Sequence, residues 1–127
     1  MSDEKKILLV DDDPDFVDAV KSIVEGAGYA VDVAYDGKEA LEILPASNPD
    51  IIILDVMMPE VNGHEACKRI KADPQFSHVP IILLTAVSSR VTSSTYTHRD
   101  MLESEAEDYI PKPVEPEVLL ARIKDWL

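Results

Sequence analysis

Four apolar runs in this chain each stop on a reactive polar residue. Ile7-Leu8-Leu9-Val10 meets Asp11, Asp12 and Asp13, and Ile51-Ile52-Ile53-Leu54 meets Asp55. Ile81-Ile82-Leu83-Leu84 meets Thr85, and Tyr109-Ile110 leads through Pro111 to Lys112. Short β-branched runs that are apolar on both faces, separated by helix-like segments, read as interior strands of a parallel sheet. Such strands all point one way, so their carboxyl ends share an edge, and open α/β folds bind ligands at that edge. The residues expected to converge there are several carboxylates, a hydroxyl and an ammonium. That set suits a hard divalent cation and a phosphoryl group.

The segments between the runs carry helical punctuation. Asp13-Pro14 has the form of an N-cap followed by proline at the first helical position. Phe16, Ala19, Val20, Ile23, Val24 and Ala27 then form an apolar stripe, closed by Gly26 and Gly28. Tyr29 to Tyr35 alternates as a second strand. Asp36-Gly37 opens a short helix with Ala40, Leu41 and Leu44, which Pro45 should stop. After the third strand (50–54), a loop with Pro59 and Gly63 leads to a helix holding Ala66, Cys67 and Ile70. Residues 88–105 are rich in Ser and Thr, with Met101 and Leu102 as their clear apolar pair. A last helix should start near Glu115-Pro116 and bury Val118, Leu119, Ile123, Trp126 and Leu127. Five strands alternating with five helices, with right-handed crossovers, predict a doubly wound α/β fold of three layers.

A chain of 127 residues fits one domain. Its 25 acids against 12 Lys and Arg give a formal charge of −13, which argues against direct contact with nucleic acid or an anionic membrane. The single Cys67 excludes an internal disulfide framework, and no Cys/His group has zinc spacing. The run Ile7 to Val10 is far too short for a signal peptide or membrane span, so a cytoplasmic protein is expected.

One Asp at a strand end is most often a solvated acid. Asp11 and Asp12 joined by Asp55 from another strand end are a different case, because three carboxylates in one cleft repel each other and a cation relieves the repulsion. Ligation by oxygen alone points to Mg²⁺, Mn²⁺ or Ca²⁺. Asp13 is assigned to capping and Asp15 to the solvated first turn. An EF-hand over Asp11-x-Asp13-x-Asp15 fails, since Phe16 and Ser22 stand where the loop needs Gly and Glu. Asp55 stands alone and can act as a nucleophile towards phosphorus, giving an aspartyl phosphate. Thr85 can donate a hydrogen bond to a phosphoryl oxygen and Lys112 can supply a point charge. A cis Lys112-Pro113 bond, in a tight turn, would aim that ammonium into the cleft. Cys67 reads as core, and His64, His78 and His98, none at a strand end, receive no catalytic role.

The chain resembles the receiver domain of two-component response regulators over essentially all of its length. The matching pieces are Leu8-Leu9-Val10-Asp11-Asp12, Leu54-Asp55-Val56-Met57-Met58-Pro59 with Gly63, Leu84-Thr85-Ala86, and Tyr109-Ile110-Pro111-Lys112-Pro113. The resemblance implies a flavodoxin-like sheet of order 2-1-3-4-5 and a single receiver domain over 1–127. It implies that Asp55 accepts a phosphoryl group from a sensor histidine kinase or phosphotransfer protein. It further implies that Asp11, Asp12, Asp55 and the Met57 carbonyl hold Mg²⁺ (Mn²⁺ as an alternative), with Asp11 acting through water. Thr85, the Ala86 amide and Lys112 would then hold the phosphoryl oxygens, and Tyr109 would be a switch aromatic.

Such a domain signals to an unidentified downstream protein or output domain. The resemblance further implies that the face built from the fourth helix, fifth strand and fifth helix would report the switch, and that catalysis would be confined to the domain's own phosphorylation and dephosphorylation. The stretch 87–98 is longer than the family's, and Ser104-Glu105 replaces its small Ala-Gly turn. Met57 and Val87 would flank the path of hydrolytic water and slow dephosphorylation. Two rivals remain: a haloacid-dehalogenase-type phosphatase, suggested by Asp11-x-Asp13, and a phosphate-independent interaction module. Dinucleotide binding is discarded because no glycine-rich loop follows the first strand.

Overall fold

The computed structural model describes residues 4–56, 63–86 and 106–127. Its elements are β1 (Lys6–Val10), α1 (Pro14–Gly26), β2 (Ala30–Ala34), α2 (Gly37–Ser47), β3 (Ile51–Asp55), α3 (Gly63–Ala72), β4 (Ile81–Ala86), β5 (Asp108–Lys112) and α4 (Pro116–Trp126). The strands pair in parallel in the order β2-β1-β3-β4-β5. This is the predicted doubly wound sheet. Four helices lie among the described residues; the further helix expected within 88–105, with Met101, Leu102 and the Ser104-Glu105 turn, lies outside them.

Strand alternation sorts the core into two halves. Ile7, Leu9, Ile51, Ile53, Ile82, Leu84 and Ile110 face one side, where α1 and α4 cover them with Val17, Val20, Val24, Leu119 and Ile123. Leu8, Val10, Ile52, Leu54, Ile81 and Leu83 face the other, against Ala40, Leu44, Ala66, Cys67, Ile70, Phe76 and Val79. Every residue of β3 is buried, as a central parallel strand requires. Each such fully buried Ile or Leu side chain stabilises the fold by about 1.5–3 kcal/mol. Pro111 sits within β5, where an edge strand tolerates its missing N–H.

Three helical expectations need correction. On α1, Ala19 and Ala27 are exposed and Val17 is buried instead, because the buried face follows Val17, Val20 and Val24 at three- and four-residue steps. Pro45 does not stop α2. It lies in the last turn, where its missing N–H forfeits one backbone bond, and the helix runs on to Ser47. There Asn48 closes it in the left-handed conformation (φ 47°), with its N–H donating to the Leu44 carbonyl. On α4, Leu119 and Ile123 are buried, whereas Val118, Trp126 and Leu127 are exposed. Val118 falls off the face that carries Leu119 and Ile123, whereas Trp126 shares that face but lies in the last turn, where its indole N–H donates to Asp108 and its ring stays partly exposed.

Candidate functional site

The site stands where the chain reverses direction across the sheet, between β1 and β3. Asp11 follows β1 directly, and its N–H donates to the Ala34 carbonyl at the end of β2 (3.2 Å). Asp55 is the last residue of β3, one place beyond the expected strand end. Both carboxylates are buried: Asp11 has no exposed surface and Asp55 retains 3%. Asp12 is exposed beside them. One carboxylate oxygen from each of Asp11, Asp12 and Asp55 lies within 4.8 Å of the others.

Register explains which side chains meet. Asp11 continues the Ile7, Leu9 face and Asp55 the Ile51, Ile53 face, both on the α1 side of the sheet. Lys112 continues from Ile110 on that same face. Its Nζ therefore reaches Asp11 Oδ2 at 3.0 Å and Asp55 Oδ1 at 3.3 Å. Burial pulls the Lys112 pKa down, but the Asp11 hydrogen bond and the charges of Asp55 and Asp11 more than reverse this, leaving it above its ordinary value. The Lys112-Pro113 peptide bond is cis.

Thr85 pairs with Pro111, and Leu84, the residue before it, pairs with Asp55. Thr85 is half-buried and shares the α2/α3 side with Leu83 and Tyr109, whose strand positions pair with each other. Tyr109 packs half-buried on that core. Ala86 ends β4 opposite Lys112. Met57, Pro59, Val87 and His98 lie outside the described residues. Asp13 caps α1, its Oδ1 accepting from the Asp15 and Phe16 N–H groups (3.0 and 3.4 Å).

Two further residues shape the site. Phe16 belongs to the apolar stripe of α1, and its ring centroid also lies 4.4 Å from Lys112 Nζ; the signal for this in the sequence is an aromatic in the first turn after the acids. Gly63 opens α3 against the end of β3. A Cβ there would fall 2.5 Å from the Asp55 carbonyl oxygen and 2.8 Å from Val56 Cα. Only glycine permits so close an approach.

At formal charge, three carboxylates and one ammonium leave two negative charges, matched to a divalent cation. Hard oxygen donors of this number fit Mg²⁺ better than a softer metal. The description "response regulator receiver domain" belongs to the family whose model matches residues 7–124. The chain belongs to that family.

Other similarities agree. The response regulator MprA of Mycolicibacterium vanbaalenii is 38% identical over 125 residues, covering 96% of this chain and 50% of the relative. The chain thus spans about half the length of the curated relatives it matches. Among solved structures, the receiver domain of a signal transduction histidine kinase from Syntrophus aciditrophicus is similar with TM-score 0.85 and 36% identity, covering 97% of this chain and 89% of that one. The receiver domain of a sensor histidine kinase from Pseudomonas aeruginosa, solved with a magnesium ion coordinated in its active-site cleft, is similar with TM-score 0.83 and 26% identity, covering 97% of each chain. In this chain the acidic cluster lies at the carboxyl edge of the sheet, with Asp11 just after β1 and Asp55 at the end of β3. No helix among the described residues is long and apolar enough to cross a membrane.

Proposed function

We propose that residues 1–127 form one receiver domain, a phosphorylation-dependent switch in a two-component phosphorelay with Asp55 as phosphoryl acceptor. The observation that carries this reading is the Lys112 ammonium lying 3.3 Å from a buried, strand-terminal Asp55 carboxylate with Asp11 and Asp12 alongside. A carboxylate oxygen of Asp55 forms a bond to phosphorus as the bond to the donor's histidine nitrogen breaks, and that nitrogen keeps the electron pair. Asp12, Asp55 and the Met57 carbonyl would hold Mg²⁺ directly and Asp11 through water, and the ion would supply charge neutralisation for the phosphoryl oxygens. Thr85, the Ala86 amide and Lys112 hold those oxygens. Tyr109 responds on β5 and biases a protein-interaction face.

The donor is a sensor histidine kinase or phosphotransfer protein, and the recipient of the signal is another protein or an output domain. The domain works in the cytoplasm, contacts neither nucleic acid nor membrane directly, and catalyses only its own phosphorylation and dephosphorylation. The phosphatase alternative loses support because Asp13, the second acid of its motif, caps α1.

The test is intact mass after incubation with Mg²⁺ and acetyl phosphate. Wild type should gain one phosphoryl group and Asp55→Asn none. Equal labelling of the two proteins, or none of wild type, would overturn the assignment.

A further inference from the structure

We propose that Phe16 is a positioning residue for phosphoryl transfer, its ring face confining the Lys112 ammonium beside the Asp11 and Asp55 carboxylates. The inference rests on Asp55 being the acceptor. Lys112 Nζ lies 4.4 Å from the ring centroid, well inside the range over which an aromatic quadrupole attracts a cation. The two carboxylates hold the same nitrogen at 3.0 and 3.3 Å.

The ring is itself fixed. Phe16 is half-buried against the core between the sheet, α1 and α4. Its backbone N–H is also drawn into the α1 cap by Asp13 Oδ1. The Asp13 N–H in turn donates to Asp11 Oδ1 at 3.0 Å. Acid, cap and ring thus form one short, locally braced stretch of chain facing Lys112.

A lysine ammonium rides on a flexible four-carbon stem and must be confined before it can help a reaction. A carboxylate at position 16 would confine it and also cancel its charge. An aromatic face confines it without a formal charge, leaving the ammonium free to meet a developing phosphoryl oxygen. A leucine of similar bulk would wall off the same space without the quadrupole.

The chain has only two phenylalanines, Phe16 and Phe76, and Phe76 lies in the core on the opposite face of the sheet. Protein labelled throughout with 4-fluorophenylalanine should give two ¹⁹F lines, and Phe16→Tyr assigns them by removing one. Lys112→Met should shift the Phe16 line and leave the Phe76 line in place. With acetyl phosphate and Mg²⁺, Phe16→Leu should lower the phosphorylation rate constant about fivefold, and Phe16→Tyr should restore it to within about twofold of wild type.

A Phe16 line indifferent to Lys112→Met, or a folded Leu variant as fast as wild type, overturns the proposal. Should Phe16→Leu fail to fold, the fluorine shift still decides. Wild type that gains no phosphoryl group overturns this inference and the acceptor assignment together; phosphorylated wild type without an effect at Phe16 overturns this inference alone.

Discussion

Asp55 owes its place to its neighbours in the chain and to a glycine eight residues away. Val56 N–H donates to the Leu84 carbonyl and Gly63 N–H to the Val56 carbonyl, both at 3.0 Å. These bonds tie the end of β3 to β4 on one side and to the start of α3 on the other. The missing side chain of Gly63 allows that second contact. Gly63→Ala would set a Cβ against backbone atoms that cannot swing aside, so β3 or α3 must move. We expect it to destabilise the fold by about 1–3 kcal/mol and to slow phosphorylation at Asp55. Urea unfolding and the acetyl phosphate rate measure the two effects, and an unaltered rate would show that the close approach does not set the carboxylate. The sequence marked Gly63 as a landmark, but nothing local to it showed what it touches.

Two polar latches join elements far apart in the chain. At the amino edge of the sheet, Lys71 on α3 keeps only 7% of its side chain exposed. Its ammonium donates to the Ser77 and Val79 carbonyls (3.1 and 2.9 Å) and to Glu107 Oε2 (2.6 Å), while Glu107 Oε1 accepts from the Ile81 N–H (2.7 Å). Glu107→Ala removes one partner of a buried pair. With Glu107 itself 27% exposed, the loss should be about 3 kcal/mol, the low end for such a deletion. Chemical denaturation checks this, and Lys71→Met in the same background should recover part of it.

The second latch joins β5 to α4. Asp108 Oδ1 accepts from Arg122 (2.6 Å) and Asp108 Oδ2 from the Trp126 indole (3.0 Å). Burial pushes the Asp108 pKa up, but the hydrogen bonds from Trp126, the Tyr109 N–H and Arg122, with the Arg122 charge, outweigh it and leave it below 3.8. A carboxylate depressed on folding contributes stability above its unfolded value, and that contribution fades as pH falls through the folded one. The stability gap between wild type and Asp108→Asn should therefore be constant above pH 3.8 and close below it, as read from urea melts across that window. A gap independent of pH would argue against the latch.

Across the molecule, the apolar runs made the sheet legible because two-sided burial leaves little else for Ile51-Ile52-Ile53-Leu54 to become. The same property hid the faces. A run apolar on both sides does not say whether Asp55 or Lys112 points towards α1 or α3, and only the register of neighbouring strands shows that Asp11, Asp55 and Lys112 share one side. Phe76 and Val79 are buried from a connection that has no period to read. The exposed Val118 and Leu127 show the opposite error, where apolar character alone suggested burial.

Trp126 is the one tryptophan in the chain, 40% exposed, with its N–H engaged by the residue next to Tyr109. Its fluorescence is accordingly a built-in optical gauge of the β5–α4 seam. An emission change on treating the protein with Mg²⁺ and beryllofluoride would time the arrival of the signal there without any attached dye.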